Sequence, residues 1–126
     1  MSKPLVTSKF FKEAEFQKCS PPCSLQDMDQ SFMNFLDRLR ESSGIPLRIT
    51  SAYRSVAHEK KNNRSGNSAH TEGKAVDIAT PNSSVRYNVL KAAFAQNCKR
   101  IGINFEKNFI HVDTSTKLDQ NVLWKY

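Results

Sequence analysis

Residues 68–79 read SAHTEGKAVDIA and lead from a polar loop into a short apolar strand. The strand is predicted over residues 75–79 and ends just before Pro81. Asp77 stands in its middle, among Ala75, Val76 and Ile78. An unpaired carboxylate is costly to bury, so Asp77 needs a partner, and a metal ion would serve.

Two of the three histidines stand beside carboxylates in segments that we predict to be ordered. His70 belongs to the same stretch as Asp77, and His111 begins His111-Val-Asp113 on a predicted strand. Two imidazoles and one carboxylate make an open zinc site, with one coordination position left for chemistry. From the residues alone an alternative stays open. These groups could be solvated loop and strand-end residues, because their spacing lacks the shared helix face of His-Glu-x-x-His.

The rest of the chain alternates helix and strand signals. A capping box from Ser24 to Asp27 predicts the start of a helix that ends at Gly44. Its apolar positions follow helical spacing: Met28, Phe32, Phe35, Leu36 and Leu39. A second helix is predicted to begin at Ser83 or Ser84. The predicted strands cover residues 47–51, 75–79, 100–105, 109–113 and 122–126. This order predicts an α+β fold, a largely antiparallel sheet with helices packed on one face.

The length allows one domain over residues 1–126, in which about the first 20 residues brace or cover the core. No run approaches a membrane span, and the start lacks the apolar stretch of a signal peptide. We therefore expect a product made in the cytoplasm, which would need another exit route to act outside it. The net charge of +7 favours an anionic partner, which could be nucleic acid, a wall polymer or a peptide carboxylate.

The three cysteines do not make a disulfide framework, because their number is odd. Cys19 and Cys23 flank a Ser-Pro-Pro spacer that could support a local disulfide or a weak thiolate metal site. The alternative is a pair of free thiols in a loop.

Three sequence blocks occur in order between residues 49 and 114, about half of the chain. Residues 49–55 read ITSAYRS, residues 68–77 read SAHTEGKAVD, and residues 108–114 read NFIHVDT. The second block matches the Ser-x-His-x-x-Gly-x-Ala-x-Asp signature of the zinc D-Ala-D-Ala carboxypeptidase family. The other two resemble its Ser-Gly-Tyr-Arg-Ser and Phe-Val-His-Ile-Asp-Thr elements, the latter from its small, single-domain branch. The family includes D,D-dipeptidases, phage endolysins that cut L-Ala-D-Glu bonds, and relatives that share the fold of the hedgehog signalling domain.

The resemblance implies a hedgehog-like fold in which His70, Asp77 and His111 bind zinc. Bound zinc would polarise the scissile carbonyl and activate water. The resemblance also implies that Arg54 binds a substrate carboxylate, which a guanidinium can grip bidentately. Ser68 is implied to hydrogen-bond the substrate near the metal. From the residues alone, Arg54 could instead form a strand-end salt bridge, and Ser68 could be a turn residue.

The general base is where the chain departs from the family pattern. Many members carry Glu or Asp three residues before the last histidine, and here that position is Asn108, which cannot take a proton. Asp113 is the predicted substitute, because residues two apart on a strand point to the same face, so it would lie with His111. Alternatively, Asp113 orients a ligand histidine. Glu106, in the predicted turn, is a weaker candidate.

The sequence thus predicts a monomeric zinc peptidase that hydrolyses peptidoglycan stem peptides at the bacterial cell wall. It would act as a D,D-carboxypeptidase or as an endopeptidase of the endolysin type. The alternative is a non-catalytic, zinc-binding recognition domain of the hedgehog type. No nucleic-acid partner is predicted, because no groove-reading helix or stacking motif is evident. His58 is predicted to be solvent-exposed, and Trp124 and Tyr126 to cover the core or a sheet edge rather than form a substrate platform.

Overall fold

A computed structural model describes residues 3–126. Its helices are α1 (Glu13–Gln17), α2 (Gln30–Ser43), α3 (Val56–Lys61) and α4 (Ser83–Ala95). Its strands are β1 (Ile49–Ser51), β2 (Ala75–Ala79), β3 (Arg100–Asn104), β4 (Phe109–Asp113) and β5 (Val122–Lys125). Two short 3₁₀ turns cover Leu25–Asp27 and Ala69–Glu72. The first two residues of the predicted N-terminal segment lie outside the described residues.

The five strands form one sheet in the order β1-β2-β4-β3-β5. All neighbours pair antiparallel except β3 and β5, which pair parallel. Helices α2 and α4 pack against each other, and α4 contacts β4. The predicted α+β class with a largely antiparallel sheet is therefore confirmed.

Alternation along the two central strands separates the core from the opposite face of the sheet. Val76 and Ile78 of β2 and Ile110 and Val112 of β4 belong to the hydrophobic core. Successive side chains of a strand point to opposite faces, so the residues between these four project away from that core. This second face carries the chemistry described below.

The predicted start of α2 is wrong by a few residues, whereas α4 begins at Ser83 as predicted and only its cap differs, by one residue. The capping box from Ser24 to Asp27 is present, but it caps the 3₁₀ turn of residues 25–27. Met28 is then extended, and the Asp29 side chain caps α2 by accepting from the backbone N–H of Phe32. The helix ends as predicted at Gly44, which is left-handed with φ of 69°. The cap of α4 is Asn82 rather than either serine, and it accepts from the N–H of Val85.

The N-terminal segment runs over α2 and contributes to the core. Val6, Phe11 and Phe16 are buried there. The Gln26 side chain accepts from the N–H of Val6 at 2.8 Å and donates to its carbonyl at 3.0 Å. Asp37 of α2 accepts from the backbone N–H of residue 9 at 2.9 Å. These contacts fix the segment along α2 and the 3₁₀ turn that precedes it.

None of the helices in residues 3–126 has the length and apolar character that crossing a membrane requires. Cys19 and Cys23 are free thiols, as is Cys98.

Candidate metal centre

His70, Asp77 and His111 meet on the face of the sheet that points away from the core. The register of the two central strands sets Asp77 directly opposite His111. His70 lies on the 3₁₀ turn just before β2, and backbone hydrogen bonding ties this turn to the residues after β1: the N–H of Arg54 donates to the carbonyl of His70 at 3.2 Å. The three side chains are all buried. The sheet and the turn before β2 therefore bring His111 beside two residues that lie far from it in sequence.

Gly73 is the residue that lets the chain turn from His70 into the strand of Asp77. Its φ is +70°, a conformation that residues with a side chain rarely adopt. A Cβ at this position would lie 2.4 Å from the carbonyl oxygen of Asp27. The carbonyl of Gly73 in turn accepts the N–H of Asp29 at the start of α2. The glycine of the sequence block is thus required by both backbone conformation and close packing.

The distances from Asp77 to the two imidazoles fit a tetrahedral ion. The ligand atoms of His70, Asp77 and His111 all lie within 4.8 Å of one another. Oδ1 of Asp77 is 3.4 Å from Nε2 of His70 and 3.1 Å from Nδ1 of His111. Ligands at about 2.0–2.1 Å from zinc in tetrahedral geometry are roughly 3.3 Å apart. The donor set and its spacing therefore suit zinc.

In each imidazole, the nitrogen that faces away from Asp77 forms a hydrogen bond with an oxygen atom. Nδ1 of His70 lies 2.5 Å from the carbonyl oxygen of Ala52. Nε2 of His111 lies 2.6 Å from Oδ2 of Asp113. Each outer nitrogen donates its proton to that oxygen, so the inner nitrogen can offer its lone pair to a metal.

The electrostatics of the cluster also suit a cation. Burial by itself would raise the pKa of Asp77, but hydrogen bonds from His111 and His70 outweigh it and lower the pKa. Burial would lower the pKa of His111, but its contacts with Asp113 and Asp77 reverse this and raise the pKa. Positive charge is therefore stabilised at this point, whether a proton or a metal ion carries it.

The structure places Asp113 beside His111 but behind the imidazole, on the side away from Asp77. Its carboxylate, 1% exposed, accepts from Nε of Arg100 at 2.8 and 3.1 Å. It also accepts from the N–H of Ser115 at 3.1 Å and contacts His111 as described. These contacts support the interpretation that Asp113 orients His111. Its assignment as general base stays a prediction.

The other two positions considered for the base lie in the turn between β3 and β4. Asn108 has a positive φ of 54°, and its side chain accepts from Arg86 at 3.2 Å. Glu106 is exposed in the same turn. Neither residue lines the pocket above the metal cluster.

Arg54 and Ser68 both line that pocket, which has a volume of about 230 Å³. Nε of Arg54 lies 2.8 Å from a carboxylate oxygen of Glu59, which is buried in α3 and also lies 3.7 Å from Arg64. Glu59 is therefore an ionic partner of Arg54, whose guanidinium also donates to the hydroxyl of Ser51 at 3.3 Å. The hydroxyl of Ser68 is buried without a hydrogen-bond partner among the described residues. Its contact with substrate stays a prediction.

The sequence does not identify several other residues that line the pocket. Arg100, Phe109, Trp124 and Tyr126 line the same pocket. Trp124 and Tyr126 lie at the sheet edge formed by β5, as expected, and in addition they line the pocket. They reach the pocket because β5 joins β3 in parallel and carries them to the metal face. His58 is partly buried in α3 and does not line the pocket.

The fold thus places a His-Asp-His group that could hold a metal ion in the lining of a pocket. The sequence profile of the family described as Peptidase M15 matches residues 9–113. The chain belongs to this family, whose peptidases are zinc-dependent. The resemblance to zinc D-Ala-D-Ala carboxypeptidases is thereby confirmed. Among curated proteins, none matches the chain at a significant level.

Proposed function

We propose that this protein is a zinc peptidase that hydrolyses peptide bonds in the stem peptides of bacterial peptidoglycan. The observation that carries the proposal is the position of Oδ1 of Asp77, at 3.1 and 3.4 Å from one nitrogen of each of two buried imidazoles. Membership of the M15 family supports the peptidase class. We also propose that its substrate is the wall peptide and that it acts at the cell wall.

Each site residue has a defined task in this proposal. His70, Asp77 and His111 hold the zinc ion, which when bound polarises the scissile carbonyl and lowers the pKa of water. Arg54 binds a substrate carboxylate through its guanidinium, which positions the peptide beside His70, Asp77 and His111.

The hydroxyl of Ser68 satisfies a polar group of the bound peptide, because it has no hydrogen-bond partner among the described residues. Asp113 keeps His111 in the tautomer that binds metal.

A carboxylate-binding arginine is compatible with two kinds of cleavage. In a D,D-carboxypeptidase, Arg54 would bind the carboxylate of the terminal D-Ala. In an endopeptidase, it would bind the free α-carboxylate of D-Glu. Because both substrates offer the same group to Arg54, the products must distinguish them.

The test is hydrolysis of the stem pentapeptide L-Ala-γ-D-Glu-L-Lys-D-Ala-D-Ala, with products identified by mass spectrometry. We expect release of D-Ala or cleavage after L-Ala, loss of activity after dialysis against a chelator, and recovery with zinc. His70→Ala should be inactive. His58→Ala removes the one histidine outside the cluster and should keep full activity. Hydrolysis that persists after chelation, or in His70→Ala, would overturn the proposal.

One observation favours a second function, that of a non-catalytic, zinc-binding recognition domain. Among residues 3–126, the acidic side chains that line the pocket are Asp77 and Asp113. The first belongs to the cluster, and four contacts to the other occupy both oxygens of its carboxylate. The pocket thus lacks a free carboxylate to accept a proton. Stoichiometric zinc binding without cleavage of any wall peptide would establish this second function.

A further inference from the structure

Three residues on neighbouring strands lie in one row across the sheet, and one of them is the candidate metal ligand His111. The register sets His111 of β4 opposite Gly102 of β3, and Gly102 opposite Trp124 of β5. Residues directly opposite each other in a sheet point to the same face. His111 and Trp124 therefore stand on either side of a position that has no side chain.

The indole of Trp124 fills the space that a side chain at Gly102 would need. A Cβ built on Gly102 would lie 2.5 Å from Cε2 and Nε1 of Trp124, and 2.8 Å from its Cζ2. These three atoms are consecutive members of the fused indole ring system, so the indole occupies the space beside the Cα of Gly102. Gly102 has no positive φ, so its backbone conformation does not require glycine. The indole alone accounts for the absence of a side chain.

In this position the indole contacts two side chains of the metal centre, the imidazole of His111 and the guanidinium of Arg100. Its ring centre is 5.4 Å from that of His111. The guanidinium of Arg100 lies over the indole, 5.0 Å from the ring centre. Arg100 donates to Asp113, which in turn holds Nε2 of His111. Trp124, Arg100, Asp113 and His111 thus form a closed ring of contacts.

We propose that Trp124 is a positioning residue for His111, and that position 102 is glycine so that the indole can lie there. Asp113 fixes the imidazole at its outer nitrogen, and the indole fixes the plane of the ring from the side. The inference rests on the proposed metal site but not on the substrate or the reaction.

The expected effect is a loss of zinc affinity. Partners that orient metal-binding histidines typically contribute 10- to 100-fold to metal affinity. We expect Trp124→Ala to weaken zinc binding by roughly that factor, and Trp124→Phe, which keeps a flat ring, to recover most of the loss. Gly102→Ala should weaken zinc binding in the same way, because the new methyl group displaces the indole.

The decisive test is the double variant. If Gly102 matters only because of the indole, Gly102→Ala should cost nothing further once Trp124 is alanine, so the two losses are strongly non-additive. Zinc affinity is measured by competition with a chromophoric chelator on the full chain. Trp124 is the only tryptophan, so its emission spectrum reports directly whether Gly102→Ala has moved the indole. The melting temperature of the zinc-free variants separates loss of positioning from loss of folding.

Two results would overturn the proposal. One is zinc affinity in Trp124→Ala within about twofold of the unchanged protein, since the contribution of an orienting partner is roughly tenfold or more. The other is simple additivity in the double variant, which would mean that Gly102 serves the strand and not the indole. If Trp124→Ala fails to fold, Gly102→Ala carries the test: its emission spectrum should show a displaced indole and its zinc affinity should fall, and a displaced indole with unchanged zinc affinity would overturn the proposal. A protein that binds zinc as expected but cleaves no stem peptide would refute the proposed function and leave this inference intact.

Discussion

Replacing Asp113 with asparagine separates the two roles that this residue could have. The carboxylate is buried and receives donors on both oxygens: Arg100 and Ser115 on Oδ1, His111 and Arg100 on Oδ2. Asparagine has nearly the same shape but replaces one acceptor oxygen with an NH₂ donor. The substitution therefore tests hydrogen bonding and charge while the packing is kept.

The magnitude follows from the number of donors. If the oxygen of the new amide stays with Arg100 and Ser115, the NH₂ group of that amide faces the N–H of His111. His111 then has to move its proton to Nδ1, which removes the lone pair that faces Asp77. A hydrogen bond to a charged group contributes about 1.5–3 kcal/mol. At about 1.4 kcal/mol per factor of ten, the loss corresponds to zinc binding roughly 10- to 100-fold weaker.

Two measurements on the same variant distinguish orientation from base catalysis. The first is the zinc dissociation constant from chelator competition, and the second is the hydrolysis rate of the stem pentapeptide at saturating zinc. If Asp113 orients His111, zinc binding weakens and most of the rate returns when zinc is in excess. If Asp113 is the base, zinc binding is unchanged and the rate falls by about 10²–10⁴-fold even at saturation.

Zinc binding by Asp113→Asn that is as tight as that of the unchanged protein would show that Asp113 does not orient His111. Asp119→Asn is the matched control, because Asp119 is exposed and its backbone carbonyl, not its carboxylate, accepts from Arg100 at 2.7 Å. This control should change neither zinc affinity nor rate. Arg100→Gln should weaken zinc binding in the same direction as Asp113→Asn, since Arg100 holds the carboxylate in place.

Two further predictions concern the substrate arginine and the turn glycine. Arg54→Lys should lower kcat/KM by roughly 10- to 100-fold, because lysine cannot grip a carboxylate bidentately. The loss should be much smaller for a pentapeptide amidated at the carboxylate that Arg54 binds, and an equal loss for both peptides would contradict the assignment. Gly73→Ala should destabilise the zinc-free protein by more than about 1 kcal/mol in chemical denaturation, since its Cβ would lie 2.4 Å from the carbonyl of Asp27 in a backbone with φ of +70°. Gly44→Ala is the control, because that position shares the left-handed φ but its Cβ would meet nothing within 4 Å. A cost no larger at Gly73 than at Gly44 would show that the close approach to Asp27 does not matter.

The metal ligands could be predicted from the sequence because each is marked by its immediate neighbours. Asp77 is conspicuous as a carboxylate inside an apolar strand. The block from Ser68 to Asp77 matches the family signature over its whole length. The strands themselves follow from alternation, which explains why the class of fold is confirmed. The start of α2 is harder to predict, because several neighbouring polar residues can cap a helix. The hydrogen bond from the N–H of Asp29 to the carbonyl of Gly73 selects Asp29 as the cap.

The surroundings of the ligands could not be predicted, because they depend on which strands lie side by side. Glu59 looks like a surface residue of a polar segment, yet it is 1% exposed and anchors Arg54. Trp124 reads as edge cover until the parallel pairing of β5 with β3 brings it to the cluster. Gly102 has no signal of its own, since only the indole above it explains why a side chain is absent.

Asp113 shows what the periodicity of a strand can predict and what it cannot. The spacing of two residues correctly predicts that Asp113 and His111 share a face, but a shared face allows the carboxylate to lie either over the metal or behind the histidine. The neighbouring strand makes the difference. The register sets Arg100 directly opposite Asp113, and its guanidinium draws the carboxylate to the outer nitrogen of His111 and away from Asp77. A carboxylate held in this way has little freedom to exchange a proton with a substrate. The residue that most resembles a base in the sequence therefore acts, by our proposal, through the histidine beside it.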